Sequence, residues 1–256
     1  MDFVWKEDGT IDISKLHSYL RSVTLLKERV PAFSEYPFNL PAVSALDELE
    51  FHPKVTYIVG ENGMGKSTVL EAIAAALGFN PEGGTRNFNF ATRESHSELY
   101  QYLRTVRGVR KPKDGFFFRA ESYYNVATEV DALQAFGSYG GKSLHDQSHG
   151  ESFFATFMNR FSGHGLYIMD EPEAALSPFR QMALLRRIHD LVHEHSQFII
   201  ATHSPIIMAY PDACIYKLTP EGIETCQLEE TDHYMITKEF INNREAMLRE
   251  LLSDDD

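Results

Sequence analysis

Cysteine is scarce in this sequence: two in 256 residues, Cys214 and Cys226. A disulfide framework is therefore excluded as the source of stability. Long apolar runs are missing too. The longest candidate, VLEAIAAALGF at 69–79, falls short of the roughly 20 residues that a membrane-spanning helix needs, so no membrane insertion is expected. The opening residues, MDFVWKEDGTIDIS, have neither the basic start nor the apolar stretch of a secretory signal, and a cytoplasmic setting is the expectation. Positive charge is the third scarcity. Lys and Arg number 24 against 37 Asp and Glu, a net charge of −13, which argues against a surface that coats nucleic acid throughout. The bases that exist are partly gathered. Residues 86–113 hold Arg86, Arg93, Arg104, Arg107, Arg110, Lys111 and Lys113 against Glu94 and Glu98. Such a stretch is either a solvated face or a local contact for phosphates or an acidic partner.

What is present is an ordinary globular composition, 43% hydrophobic and 24% charged, with enough length for one large α/β domain or two small ones. The pattern alternates strands and helices. Residues 19–28 read as an opening strand and 36–51, punctuated by prolines, as a connector. Residues 54–60 and 166–170 are continuous apolar runs ending in Gly60 and Asp170, the mark of buried parallel strands; 197–204 is a third. Helices are expected over 66–78, 96–108, 125–137 and 151–161, and again from Pro178 behind an N-cap at Ser177. In that last helix Phe179, Met182, Leu185, Ile188 and Val192 recur at helical spacing. CIYKL and IETCQL flank the turn TPEG as a hairpin. If Leu218 pairs with Ile223, Cys226 faces Ile215 and Cys214 points to the other side, so two unbonded, buried thiols are expected. An amphipathic helix over 237–252 closes the chain before a DDD tail expected to fray. The fold class is α/β: a mostly parallel core sheet flanked by helices. Residues 79–147 form a helical insertion within a single domain spanning 1–256.

The chemistry starts at Gly60-Glu61-Asn62-Gly63-Met64-Gly65-Lys66-Ser67-Thr68, which matches G-x-x-x-x-G-K-[ST] between a strand and a helix. Glycines let backbone N–H groups turn inward around phosphate oxygens, and the helix N-terminus adds partial positive charge. Lys66 is expected at the β- and γ-phosphates and the Ser67 hydroxyl on Mg²⁺. The second strand ends in Asp170-Glu171. Asp170 is delivered beside the phosphate loop to hold Mg²⁺, and Glu171 points toward the γ-phosphate as the general base for water. His203, at the end of the third strand, is expected beside Glu171 as a donor to the γ-phosphate.

These runs, GENGMGKST, FFFRAES, QSHGES, DEPEAALSP and ATHSPI, resemble the ABC-class ATPases, and within them the soluble subgroup that includes SMC-type, DNA-repair and overcoming-lysogenization-defect-like ATPases. The resemblance implies an ABC-type P-loop NTPase fold that uses ATP and Mg²⁺ and forms a homodimer with composite sites. It assigns a signature role to Gln147-Ser148-His149-Gly150-Glu151. Ser148 and Gly150 match the family's serine and second glycine, while Glu151 stands for its glutamine, His149 for its first glycine and Gln147 for its leucine. In that family the element binds the γ-phosphate of a nucleotide held by the opposite protomer. Residues 173–177, EAALS, resemble the dimer-contact loop, with Ser177 in place of its aspartate. No glutamine loop is evident; the equivalent strand end offers Glu121, a Mg²⁺ or water ligand or else an acid paired with Arg119. Tyr36, Phe38 and Phe51 are candidates to stack on adenine.

The reading is Mg²⁺-dependent ATP hydrolysis coupled to ATP-driven homodimerisation, acting on an unidentified effector. Two alternatives stand beside it. A transporter ATP-binding subunit predicts a glutamine loop. A DNA-associated repair or defence ATPase draws on the basic stretch, although the 82 residues between Lys66 and Ser148 leave no room for a long coiled-coil arm. A nucleotide-dependent switch that barely turns over is a non-enzyme counterpart, against which the intact Glu171 and His203 argue.

Overall fold

Nine strands run through the chain: β1 (Leu20–Leu25), β2 (Glu48–Glu50), β3 (Val55–Gly60), β4 (Leu103–Arg107), β5 (Asp114–Arg119), β6 (Gly165–Asp170), β7 (Gln197–Ala201), β8 (Cys214–Thr219) and β9 (Gly222–Cys226). Eight α-helices join them: α1 (Pro41–Ser44), α2 (Lys66–Ala76), α3 (Tyr123–Ala132), α4 (His149–Ala155), α5 (Pro178–His193), α6 (Pro205–Met208), α7 (Asp232–Asn242) and α8 (Arg244–Leu251). This computed structural model describes residues 18–86 and 97–253, so both counts refer to those residues. The expectations for residues 1–14, for Arg93 and Glu94 and for the DDD tail lie outside them.

Six strands form the main sheet in the order β5-β6-β7-β3-β8-β9. All its pairings are parallel except the β8–β9 hairpin. β3 and β6 are buried at every position, because both faces of the sheet are covered. Alternation divides their side chains between two cores. Val55, Tyr57 and Val59 face the side of α3, α4 and α5, packed with Phe116, Phe118, Tyr167 and Phe198. Ile58 faces α2 and the small sheet, with Phe117, Ile168 and Ile199. The parallel run brings the C-terminal ends of β3, β6 and β7 to one edge, where an open α/β sheet binds its ligands.

A second, antiparallel sheet has the order β2-β1-β4. Gln197 of β7 fastens it to the first. The fully buried amide donates to the carbonyls of Leu20 (2.8 Å) and His52 (3.0 Å) and accepts from the N–H groups of Tyr19 (2.9 Å) and Leu20 (3.0 Å).

Several expectations need correction. The stretch 96–108 is not a helix. A 3-10 turn over Glu98–Tyr102 leads into β4, which pairs with β1 from Leu25–Leu103 onward; an available strand edge outweighs local helical spacing. Residues 79–147 therefore contribute β4 and β5 as well as α3. The connector at 36–51 contains α1 and β2. In α5 the buried positions are Leu184, Ile188 and Leu191, and Phe179 and Met182 are 77% and 52% exposed. The closing helix is two, α7 and α8, separated at Asn243, and neither contributes a buried residue. The hairpin has the expected register, Leu218 opposite Ile223 and Ile215 opposite Cys226, but its unbonded cysteines are half-buried, not buried.

Candidate nucleotide site

Residues 61–65 turn sharply between β3 and α2. Gly65, the N-cap of α2, has φ +96°, a left-handed conformation that glycine adopts without steric cost, and a Cβ there would crowd Leu40 at 3.2 Å. Lys66 is buried and reaches back across the turn, donating to the carbonyls of Gly60 (2.7 Å) and Glu61 (2.9 Å). Burial pushes its ammonium below the ordinary lysine range, opposed by the charges of Glu171, Asp170, Glu173 and Glu61. Met64 packs against the core beneath the loop, and its carbonyl accepts from the Ala42 N–H at 3.0 Å. Above the loop is an open cleft of about 340 Å³ lined by Tyr36, Leu40, Asn62, Gly63, Gly65, Lys66, Ser67, Thr68 and Glu171.

The two acids at the end of β6 differ sharply. Asp170 is buried, and Ser67 Oγ donates to its Oδ1 at 3.1 Å. Burial pushes its carboxyl up to about 6, against the hydrogen bond from Ser67 and the nearby Arg119 and Lys66. A hydroxyl and a carboxylate meeting in a buried corner are hard oxygen donors suited to Mg²⁺. Glu171 is half-exposed in the cleft. Its backbone has φ +50°, unusual for a residue with a Cβ and costing about 1–3 kcal/mol. Its N–H donates to the Ala201 carbonyl at 3.0 Å, so the turn is pinned to β7.

His203 follows β7. Its Nε2 lies 3.6 Å from Glu171 Oε1, as expected, and is buried without a hydrogen-bond partner in the described structure. Its backbone N–H donates to Glu173 Oε1 at 2.6 Å, and its Nδ1 lies 2.6 Å from Nε2 of His233, near the start of α7. Burial first, then Lys66 and His233, hold the His203 ring below the usual imidazole range; Glu171 pulls the other way. Sequence reasoning missed both partners. Glu173 sits within the quoted DEPEAALSP run, whereas His233 belongs to no local pattern.

The signature-like residues lie elsewhere and line no part of this cleft. Ser148 is the N-cap of α4, and both its N–H (3.0 Å) and its Oγ (2.6 Å) donate to Glu151 Oε2. Gly150 packs against the 173–177 loop of its own chain, where an added Cβ would sit 2.5 Å from the Ala175 carbonyl oxygen. Ser177 caps α5 through the Arg180 N–H, as expected. Glu121 is 81% exposed and ion-paired with Arg119 at 3.0 Å, the plainer of its two readings. Of the aromatic candidates, Phe38 and Phe51 are buried in the core, and Tyr36 lines the cleft. In the basic stretch Arg104, Arg107, Arg110, Lys111 and Lys113 are exposed, with Arg107 donating to the Ala76 carbonyl at 3.2 Å.

An AAA domain family model matches residues 43–143. A second AAA domain model, whose description points to the AbiEii toxin of a type IV toxin–antitoxin system, matches 143–209. No curated protein matches the chain. Among solved structures, it is similar to cbiO1 from Clostridium perfringens, part of the ABC transporter complex cbiONQ, with 20% identity over 91% of this chain and 99% of that one and a TM-score of 0.47. It is similar also to the SMC head domain from Thermotoga maritima, with 17% identity over 82% and 99% and a TM-score of 0.41. The two AAA-domain matches lie side by side, the first over the phosphate loop and the second over the ends of β6 and β7.

Proposed function

We propose that this chain hydrolyses ATP with Mg²⁺ and that ATP draws two copies together across composite sites. The observation that carries this reading is the convergence, at the ends of three adjacent strands, of Lys66, the Ser67–Asp170 pair, Glu171 and His203. The β- and γ-phosphates take Lys66 from the Gly60 and Glu61 carbonyls. Ser67 and Asp170 would hold Mg²⁺, which would supply positive charge to the phosphate oxygens. Glu171 accepts the proton of the attacking water as the γ-phosphorus–oxygen bond to ADP breaks. His203 Nε2 donates to a γ-phosphate oxygen. One ABC-type domain over 1–256, with 79–147 as its insertion, belongs to the same proposal.

The trans arrangement draws on Ser148 and Gly150 lying outside the cleft of their own chain, and on exposed Phe179 and Met182 directly after the 173–177 loop. ADP lacks the phosphate that Ser148 is to touch, so ATP alone favours the dimer by differential binding. The test is light scattering on Glu171→Gln, with and without Ser148→Arg, in ATP and in ADP. Glu171→Gln is expected to be dimeric in ATP and monomeric in ADP, and the added arginine to leave it monomeric in both while ATP still binds. Glu171→Gln monomeric in ATP, or a double variant that dimerises equally well, overturns the composite site.

A further inference from the structure

His203 is held through its main-chain N–H and one of its two ring nitrogens. Its main-chain N–H is fixed by Glu173 and its Nδ1 meets His233 Nε2, while Nε2 is left beside Glu171. His233 is itself anchored. Asp232, the first residue of α7, accepts from Lys217 Nζ at 3.0 Å, and Lys217 is the β8 partner of Val59, one residue before the phosphate loop opens. The helix that presents His233 buries none of its own residues, so this contact is not a by-product of core packing.

An imidazole pair sharing one hydrogen bond needs one N–H and one bare nitrogen. Both rings are held below the ordinary imidazole range, by burial first and then by Lys66, so both are neutral at pH 7. The carboxylate facing His203 Nε2 is an acceptor, which calls for a proton on that nitrogen. In a neutral ring Nδ1 must then be bare, and the shared proton belongs to His233. We propose that His233 is a positioning residue. Its Nε2–H donates to His203 Nδ1 and so fixes His203 in the tautomer and orientation that present Nε2–H to the γ-phosphate, much as an outer partner sets the tautomer of a metal-bound histidine. The inference rests on the reading of His203 given under the proposed function, and it links α7 to the nucleotide site through His233.

The experiment uses the full chain labelled with ¹⁵N-histidine, with two-bond ¹H–¹⁵N ring correlations assigned through His203→Ala and His233→Ala. Wild type is expected to show His203 protonated at Nε2, with Nδ1 bare and shifted as a hydrogen-bond acceptor. His233→Phe keeps a ring and removes the donor, and the acceptor shift is expected to vanish. His233→Gln returns an N–H near the same place and is expected to restore it. In ATPase assays His233→Phe should lower kcat about 10- to 100-fold with ATP affinity nearly unchanged, the usual cost of losing an outer-shell partner, and His233→Gln should recover most of the rate. His203 protonated at Nδ1 in the wild type overturns the proposal, as does a His233→Phe spectrum that keeps the acceptor shift. If wild type shows the expected ring pattern but no turnover, the hydrolysis reading fails and the His233–His203 assignment stands.

Discussion

Replacing Asp170 by asparagine should stabilise the nucleotide-free protein while disabling it. Asp170 is 5% exposed, so solvent screens little of its cost, and its carboxyl is pushed from the ordinary 3.8 up to about 6. That difference converts to about 3 kcal/mol at pH values well above 6. The sign follows from the direction. The folded state binds this proton more tightly than the unfolded state, so the contribution to stability is complete below about pH 4 and is lost as pH rises through about 6. Asparagine keeps an oxygen to accept from Ser67 Oγ, but it sets an unpaired amide near Arg119, whose Nε is 4.0 Å from Asp170 Oδ2; that costs about 1–2 kcal/mol. Asp170→Asn should therefore exceed wild type by about 1–2 kcal/mol at pH 8 and fall about 1 kcal/mol below it near pH 4. Urea unfolding in EDTA without nucleotide, followed across this range, gives the difference directly, and acids that do not interact with Asp170 cancel from it. A difference flat to within about 0.5 kcal/mol from pH 4 to 8, or a variant less stable than wild type at pH 8, would refute the account of Asp170 as a carboxylate buried to await a cation.

Two further stability predictions concern what holds the site in place. Gln197→Leu leaves two buried N–H groups and two carbonyls without their partner and should cost at least about 3 kcal/mol in urea unfolding; a loss under about 1 kcal/mol would mean the two sheets are joined by other means. Leu184→Ala should cost about 2–5 kcal/mol, and Phe179→Ser no more than about 0.5 kcal/mol; equal losses would contradict the burial of α5 described above.

The phosphate loop was legible because its chemistry is local: nine consecutive residues after an apolar run specify strand, turn and helix together. Asp170, Glu171 and His203 were legible for a related reason, since parallel strands ending in polar residues deliver them to one edge. The hairpin register was readable from the TPEG turn. Other features depend on neighbours that no short window contains. β4 is a strand because β1 offers its edge. Leu184 and Leu191, not Phe179 and Met182, face the core because the sheet sets which side of α5 is inward. Gln197 reads as one more strand residue until the chain 177 residues earlier is laid against it. His233 has no local signal: it is a single histidine thirty residues after the one it touches.

The central claim is that one cleft both binds and hydrolyses ATP, with binding through Lys66 and proton removal through Glu171. Phosphate release and equilibrium ATP binding, measured side by side on wild type, Lys66→Ala and Glu171→Gln, test it most directly. Wild type is expected to bind and release phosphate. Lys66→Ala should lose binding and release together, while Glu171→Gln binds ATP as wild type does and releases phosphate about 100-fold or more slowly, the scale of a lost general base. Wild-type release from Glu171→Gln, or wild-type affinity in Lys66→Ala, would contradict the account.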